Sequence, residues 1–190
     1  MTRKQTHGKG EKTMHNMRRA RQQLSHEDAT RILERATSGV LAVTDDGGWP
    51  YAVPLSFVHD NGRLYFHSAP AGHKIDAIRH CDRASFCVID EDEVVPEEFT
   101  TYFRSTIAFG NVHIVESRDE RMHALELLGK KYSPGLDDAL AQEIDTLFAR
   151  TCVLRLDIER LTGKEAIELV REREKREERP GQGQRQGAAR

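Results

Sequence analysis

Nowhere does the chain approach the roughly 18 consecutive apolar residues that a membrane-spanning helix requires. Its start, Met1 to Lys12, is polar and lacks the apolar stretch of a secretory signal, so a cytoplasmic protein is expected. Cysteine is scarce. Cys81, Cys87 and Cys152 are odd in number and have no CxxC spacing, which argues against a disulfide framework and a zinc knuckle. They read as small buried hydrophobes in a reducing compartment. His73 and His80 lie seven apart rather than at the i, i+4 spacing that brings two ligands to one metal, and they read as surface residues; no metal site is expected. No internal repeat is visible.

What is present fits one domain with tails, since a single core usually serves about 100 to 200 residues and the chain has 190. The net charge of −2 hides a segregation: residues 1–23 carry +6, residues 171–190 carry +3, and the stretch between them carries −11. The basic ends lack the interleaved aromatics that stack nucleic-acid bases. They read as solvated, mobile tails, with nucleic acid not expected as a partner and the Gly/Gln/Arg run Pro180 to Arg190 expected to be disordered. The chain therefore divides into a basic N-terminal tail (1–23), a core domain (24–165) and a charged helical or disordered C-terminal tail (166–190).

Within the core, Ser25 followed by Asp28 resembles a capping box, and Ile32, Leu33 and Ala36 continue at helical spacing to a stop by Gly39. Val40–Thr44 is a short apolar strand closed by the turn Asp45-Asp46-Gly47-Gly48, and Tyr51–Val58 follows as a second strand. After Asp60-Asn61-Gly62, the alternation in Arg63–Ser68 sends Leu64 and Phe66 to one face and Tyr65 and His67 to the other. His73–His80 reads as a short helix, Ala84–Ile89 as a fourth strand, and Asp90–Glu98 as an acidic loop. Thr101–Val115 is a long strand with a bend expected at Gly110. Two helices, Asp119–Tyr132 and Asp137–Ala149, precede a last strand, Cys152–Ile158, and a helix-prone tail. The pattern describes an α+β domain, mainly β: a six-stranded antiparallel barrel closed late by its last strand, with flanking helices.

Two segments carry the groups that chemistry needs. Phe66–Lys74 runs from a strand through a Pro/Gly turn into a helix, and offers the Ser68 hydroxyl, helix-terminal amides and the Lys74 charge, which together make a phosphate cradle. Taken alone, the same pattern also describes an ordinary turn with a solvated lysine. In Ala52–Phe57, Pro54 cannot donate to a ladder, so it marks an edge or bulge where neighbouring main-chain groups are free to meet a planar hydrogen-bonding ring, or where the strand is merely blunted.

Taken in order, Gly-Val-Leu-Ala-Val (39–43), Pro-Tyr-Ala-Val-Pro-Leu-Ser-Phe (50–57), Leu-Tyr-Phe-His-Ser-Ala (64–69), Gly-His-Lys-Ile-Asp-Ala-Ile (72–78) and Tyr-Phe-Arg-Ser-Thr-Ile-Ala-Phe-Gly (102–110) resemble the nitroimidazole-resistance (Nim-type) branch of the pyridoxamine 5'-phosphate oxidase-like FMN-binding split barrels. The resemblance spans roughly residues 17–165. It implies that Val53, Pro54 and Leu55, with Ser56 beside them, line a flavin ring through main-chain groups, and that His67, Ser68 and Ala69 approach the ribityl chain and phosphate. It further implies that Lys74 binds the phosphate, that Arg104 and Ser105 begin a strand beside the flavin near a dimer seam, and that the protein is a homodimer with the flavin site at the subunit interface. Glu159–Lys164 lacks the Arg-Leu-x-Pro pattern of the vitamin B6 oxidases. The implied activity is FMN-dependent reduction of small nitroaromatic compounds, with His67 as the catalytic proton donor. A non-catalytic flavin or heme module is the alternative, and F420 stands beside heme as an alternative cofactor.

Overall fold

The computed structural model describes residues 17–178; residues 1–16 of the basic tail and the Pro180–Arg190 run lie outside the described residues. The elements are α1 (His26–Arg35), β1 (Ser38–Thr44), β2 (Pro50–Ser56), β3 (Val58–Asp60), β4 (Arg63–Ser68), α2 (His73–His80), β5 (Arg83–Val95), β6 (Thr100–Ile114), α3 (Arg118–Tyr132), α4 (Asp137–Leu147), β7 (Cys152–Glu165) and α5 (Ile167–Glu177). All strand pairs are antiparallel, in one sheet of order β2-β1-β5-β6-β7-β4-β3. This is the mainly-β architecture with flanking helices that the sequence pattern describes. Among the described residues, no helix is long and apolar enough to cross a membrane.

The cap at Ser25 forms as expected: its hydroxyl accepts the Asp28 amide at 3.0 Å, and α1 buries Ala29, Ile32 and Leu33. The sheet has seven strands rather than six because the stretch expected as one strand breaks at Phe57. Its two halves, β2 and β3, are the two outermost strands of the sheet. One continuous piece of chain therefore supplies both edges, and the rolled sheet is joined across its split by the covalent backbone at Phe57 rather than by a ladder. The Phe57 ring is fully buried and meets Phe86 edge-on at 4.8 Å. Its amide, lost to the ladder, donates to the Tyr132 hydroxyl at 2.8 Å, which satisfies a donor that would otherwise be buried without a partner.

Inside the barrel, Leu41, Leu64, Phe66, Phe86, Val88, Leu154 and Leu156 form the core. On the outside of β4 and β7, Tyr65 and Val153 pack against Ala124 and Leu128 of α3. The alternation expected in β4 is thus realised, with Leu64 and Phe66 inward and Tyr65 outward.

Two strands run further than their sequence suggested. The acidic segment after Ile89 is not a loop: β5 continues to Val95 and pairs with Thr100–Arg104, and the hairpin turns through Pro96–Glu98 and a left-handed Phe99 (φ +51°). Asp90 and Glu91 pair with Arg104 while Asp92 and Glu93 face solvent, and a ladder asks only for backbone groups. Likewise β7 does not stop at Ile158, because residues 160–165 pair with residues 104–109 of β6. Thr162, Gly163 and Lys164 are therefore strand residues, not a tail following the strand.

The bend expected at Gly110 is present as a register shift between Phe109 and Gly110 opposite β7. A Cβ at Gly110 would lie 1.8 Å from the Asp157 carbonyl oxygen, so only glycine allows the two backbones this approach. Gly110→Ala is expected to lower stability by about 3 kcal/mol or more in urea unfolding, since backbone cannot yield as a side chain does. An unchanged midpoint would refute the close approach.

Candidate functional site

Of the sequence-predicted residues, Val53, Pro54, Leu55 and Ser56 lie on β2, His67 and Ser68 end β4, and Lys74 lies in the first turn of α2. Along β2 the side chains alternate: Tyr51, Val53 and Leu55 lean on the core, while Ala52, Pro54 and Ser56 are exposed. Pro54 sits opposite Val40 of β1 in the sheet's outermost strand, the position where a residue without an N–H costs least.

At the end of β4 the alternation separates two neighbours. Ser68 turns toward the head of α2, where its hydroxyl accepts from the Lys74 Nζ at 2.8 Å and donates to the Ala69 carbonyl at 3.0 Å. Helix α2 begins after Gly72, whose φ of +120° only glycine adopts readily and which provides no side-chain cap. A lysine ammonium, a hydroxyl and the uncapped first turn of a helix together form a set able to hold an anion. His67 faces the other way. With Ser56 it lines a groove of about 410 Å³ between the sheet and the helices α3 and α4, whose apolar wall is Leu125, Leu128, Leu140, Ile144 and Leu147. His67 and Ser68, taken together in the sequence reading, thus belong to opposite faces of one strand.

Arg104 and Ser105 lie elsewhere. The ionic partners of Arg104 are Glu91 (3.0 Å), Glu165 (3.2 Å) and Asp90 (3.5 Å), and Glu165 is almost wholly buried between Arg104 and Arg173 of α5. Ser68 is in register with Cys152 and Arg104 with Glu165, thirteen residues along β7, or about 40 Å of strand. A single copy does not bring Arg104 into contact with the Lys74 set. Ser105 shares the outer sheet face with Ile107, with Val40 and Cys87 across the ladder, and with Ile89, which is 65% exposed.

Sequence reasoning missed one part of the site. His73, read as a plain surface residue, stacks on Tyr51 of β2 with ring centroids 4.1 Å apart, and its Nε2 lies 3.2 Å from Asp45 Oδ2. Asp45 in turn accepts the Trp49 amide at 2.7 Å through Oδ1, while its own amide and carbonyl close the β1–β2 turn with Trp49 and Gly48. The Asx turn was readable in Asp45-Asp46-Gly47-Gly48, but a partner 28 positions away was not. The cysteines fall largely as expected: Cys152 is buried and Cys81 and Cys87 half-buried, and burial pushes the Cys87 and Cys152 thiols above their ordinary range.

A family model described as pyridoxamine 5'-phosphate oxidase matches residues 25–165. The chain belongs to that family. Among solved structures, a protein of Bacteroides thetaiotaomicron named for 5-nitroimidazole antibiotic resistance is 24% identical, with a TM-score of 0.61 over 74% of this chain and 84% of its own. A FAD-binding protein of Mesorhizobium loti is 26% identical, with a TM-score of 0.56 over 76% of this chain and 96% of its own. A FAD and heme binding protein of Mycobacterium smegmatis is 23% identical, with a TM-score of 0.66 over 76% and 73%.

The amide of Trp49, and next the His73 imidazole, hold the Asp45 carboxyl below the usual carboxylate range. A folded-state value below the unfolded one stabilises the protein above the unfolded value, and that contribution disappears as pH falls through the folded one. The stability difference between wild type and Asp45→Asn is therefore expected to shrink on acidification from about pH 5 to pH 2 in thermal melts. A constant difference would show that Asp45 acts through shape alone.

Proposed function

We propose that this protein is a flavin-dependent oxidoreductase of the pyridoxamine 5'-phosphate oxidase family that binds FMN in the split between β2 and β4 and reduces small nitroaromatic compounds. The observation that carries the reading is the Lys74–Ser68 contact of 2.8 Å at the uncapped head of α2, where the adjacent His73 stacks on Tyr51 of the edge strand that carries Pro54. A phosphomonoester needs a point charge, a hydroxyl donor and open amides, and these residues fit it. Lys74, Ser68 and Ala69 hold the phosphate end, and the main chain of Val53, Pro54, Leu55 and Ser56 borders the ring. The bound flavin supplies the electron transfer, a chemistry no side chain offers. The FAD-binding relative, which matches over three quarters of this chain, supports a flavin, and the shorter FMN is the form that the phosphate set at α2 suits.

His67, which lines the neighbouring groove with Ser56, has the proton-supplying role that the resemblance implies. Reduction of nitroimidazoles accords with the resemblance to the Nim branch and with the Bacteroides structure. The outer sheet face of Val40, Cys87, Ile89, Ser105 and Ile107 is the surface a second copy covers in a homodimer, which sets Ser105 at the seam as the resemblance implies. Sedimentation at micromolar concentration is expected to give a dimer; a monomer would remove this part of the reading.

Purified protein is expected to show flavin absorption bands and to release FMN. A Soret band instead would favour the heme module, released F420 would replace the cofactor, and a colourless protein that does not take up added FMN would overturn the proposal. Lys74→Ala is expected to weaken FMN binding about 10- to 100-fold, the value of a charge-assisted contact to phosphate. His67→Ala is expected to slow nitroimidazole turnover while leaving the FMN dissociation constant nearly unchanged; equal turnover would clear His67 of any catalytic part.

A further inference from the structure

We infer that His73 is a positioning residue for the phosphate end of this site, a role that rests on the flavin reading above. The head of α2 is tied down at two points on opposite sides of the split. Lys74 reaches the end of β4 through Ser68 at 2.8 Å. His73, one residue earlier, reaches the β1–β2 hairpin, stacking on Tyr51 at 4.1 Å with planes 28° apart and meeting Asp45 at 3.2 Å.

The anchor on the hairpin side is rigid. Asp45 is held by the Trp49 amide through Oδ1, and its backbone closes the same turn, so the carboxylate that meets His73 has little freedom of its own. Tyr51 stands two residues before Val53 on β2, the strand whose main chain borders the ring. The imidazole is thus a strut between the ring-bearing strand and the phosphate-bearing helix. Such a strut is needed because Gly72 sits at φ +120°, gives α2 no cap and leaves the helix head without a local orienting contact. Lys74 cannot substitute for it, since a four-carbon flexible stem carries charge without fixing direction. His73 thereby determines how Lys74 and Ser68 stand relative to β2, and so how strongly the protein distinguishes a phosphorylated flavin from an unphosphorylated one.

The test compares FMN with riboflavin, which has the same ring and ribityl chain but no phosphate, by quenching of flavin fluorescence on binding to the full-length apoprotein. The His73 side chain is 52% exposed, so His73→Ala is expected to fold with an unchanged circular dichroism spectrum. In that variant the FMN dissociation constant is expected to rise about tenfold while that of riboflavin moves less than about twofold. Asp45→Leu is expected to reproduce the loss from a residue outside the Lys74–Ser68 pair. His73→Gln, which retains a donor for Asp45, should restore most of the preference. Equal losses for FMN and riboflavin, or no loss of either, would overturn the positioning role while leaving the flavin reading intact. Wild-type protein that binds neither flavin would overturn the flavin reading itself, and this inference with it.

Discussion

The rest of the structure depends on the backbone at Phe57. A seven-stranded antiparallel sheet that curls on itself must either close its ladder or leave two edges exposed to other chains. Here both edges belong to one segment, β2 and β3, and the covalent chain crosses the gap between them. The crossing holds because its groups find partners outside the ladder. The Phe57 amide donates to the Tyr132 hydroxyl, whose own proton goes to one of the facing carbonyls of Thr37 and Phe57. The buried Phe57 ring is held between Phe86 and the Lys131 ammonium, which lies 4.3 Å from its centroid. Burial pushes the Lys131 amine below its ordinary range, since the ring faces of Phe57 and Tyr132 replace little of the water it loses. Helix α3, which brings both Tyr132 and Lys131, is in this sense the clasp of the barrel.

The functional geometry follows from that break. Ending β2 at Ser56 and restarting at Val58 leaves the backbone around Pro54 on an edge strand, while Lys74 and Ser68 meet at the end of β4. The same break separates two compartments. Ser68 and Lys74 look toward the split, whereas Ser56 and His67 line the groove under α3 and α4. A strand's alternation thus gives two adjacent residues two different surroundings. Arg104, by contrast, is occupied in an ion cluster with Asp90, Glu91 and Glu165 that fastens the far end of the sheet to α5 through Arg173.

How legible each element was depended on whether its boundaries are chemical or tertiary. The bounds of β4 and α2 agree with the sequence reading because Asn61-Gly62 and Pro70–Gly72 enforce turns through backbone torsions that other residues avoid. The Ser25 cap was legible for the same local reason. The acidic arm of β5 and the second half of β7 were not. Both stretches carry charged residues without clean apolar alternation, and only the partner strand β6 reveals that their backbones pair.

What the sequence by itself determined is therefore the local grammar: antiparallel strands with helices at fixed places, glycine at the Gly110 crossing, and a lysine, a hydroxyl and a proline edge arranged in an order that identifies the family. Tertiary structure alone decided which faces those residues share. It set His67 under α3 and α4, carried Arg104 to the opposite end of β6, and joined His73 to Asp45 and Tyr51. The physical reason is that torsional preferences act over a few residues, whereas stacking, ion pairing and strand register act between residues tens of positions apart, and exist only once the sheet has rolled up.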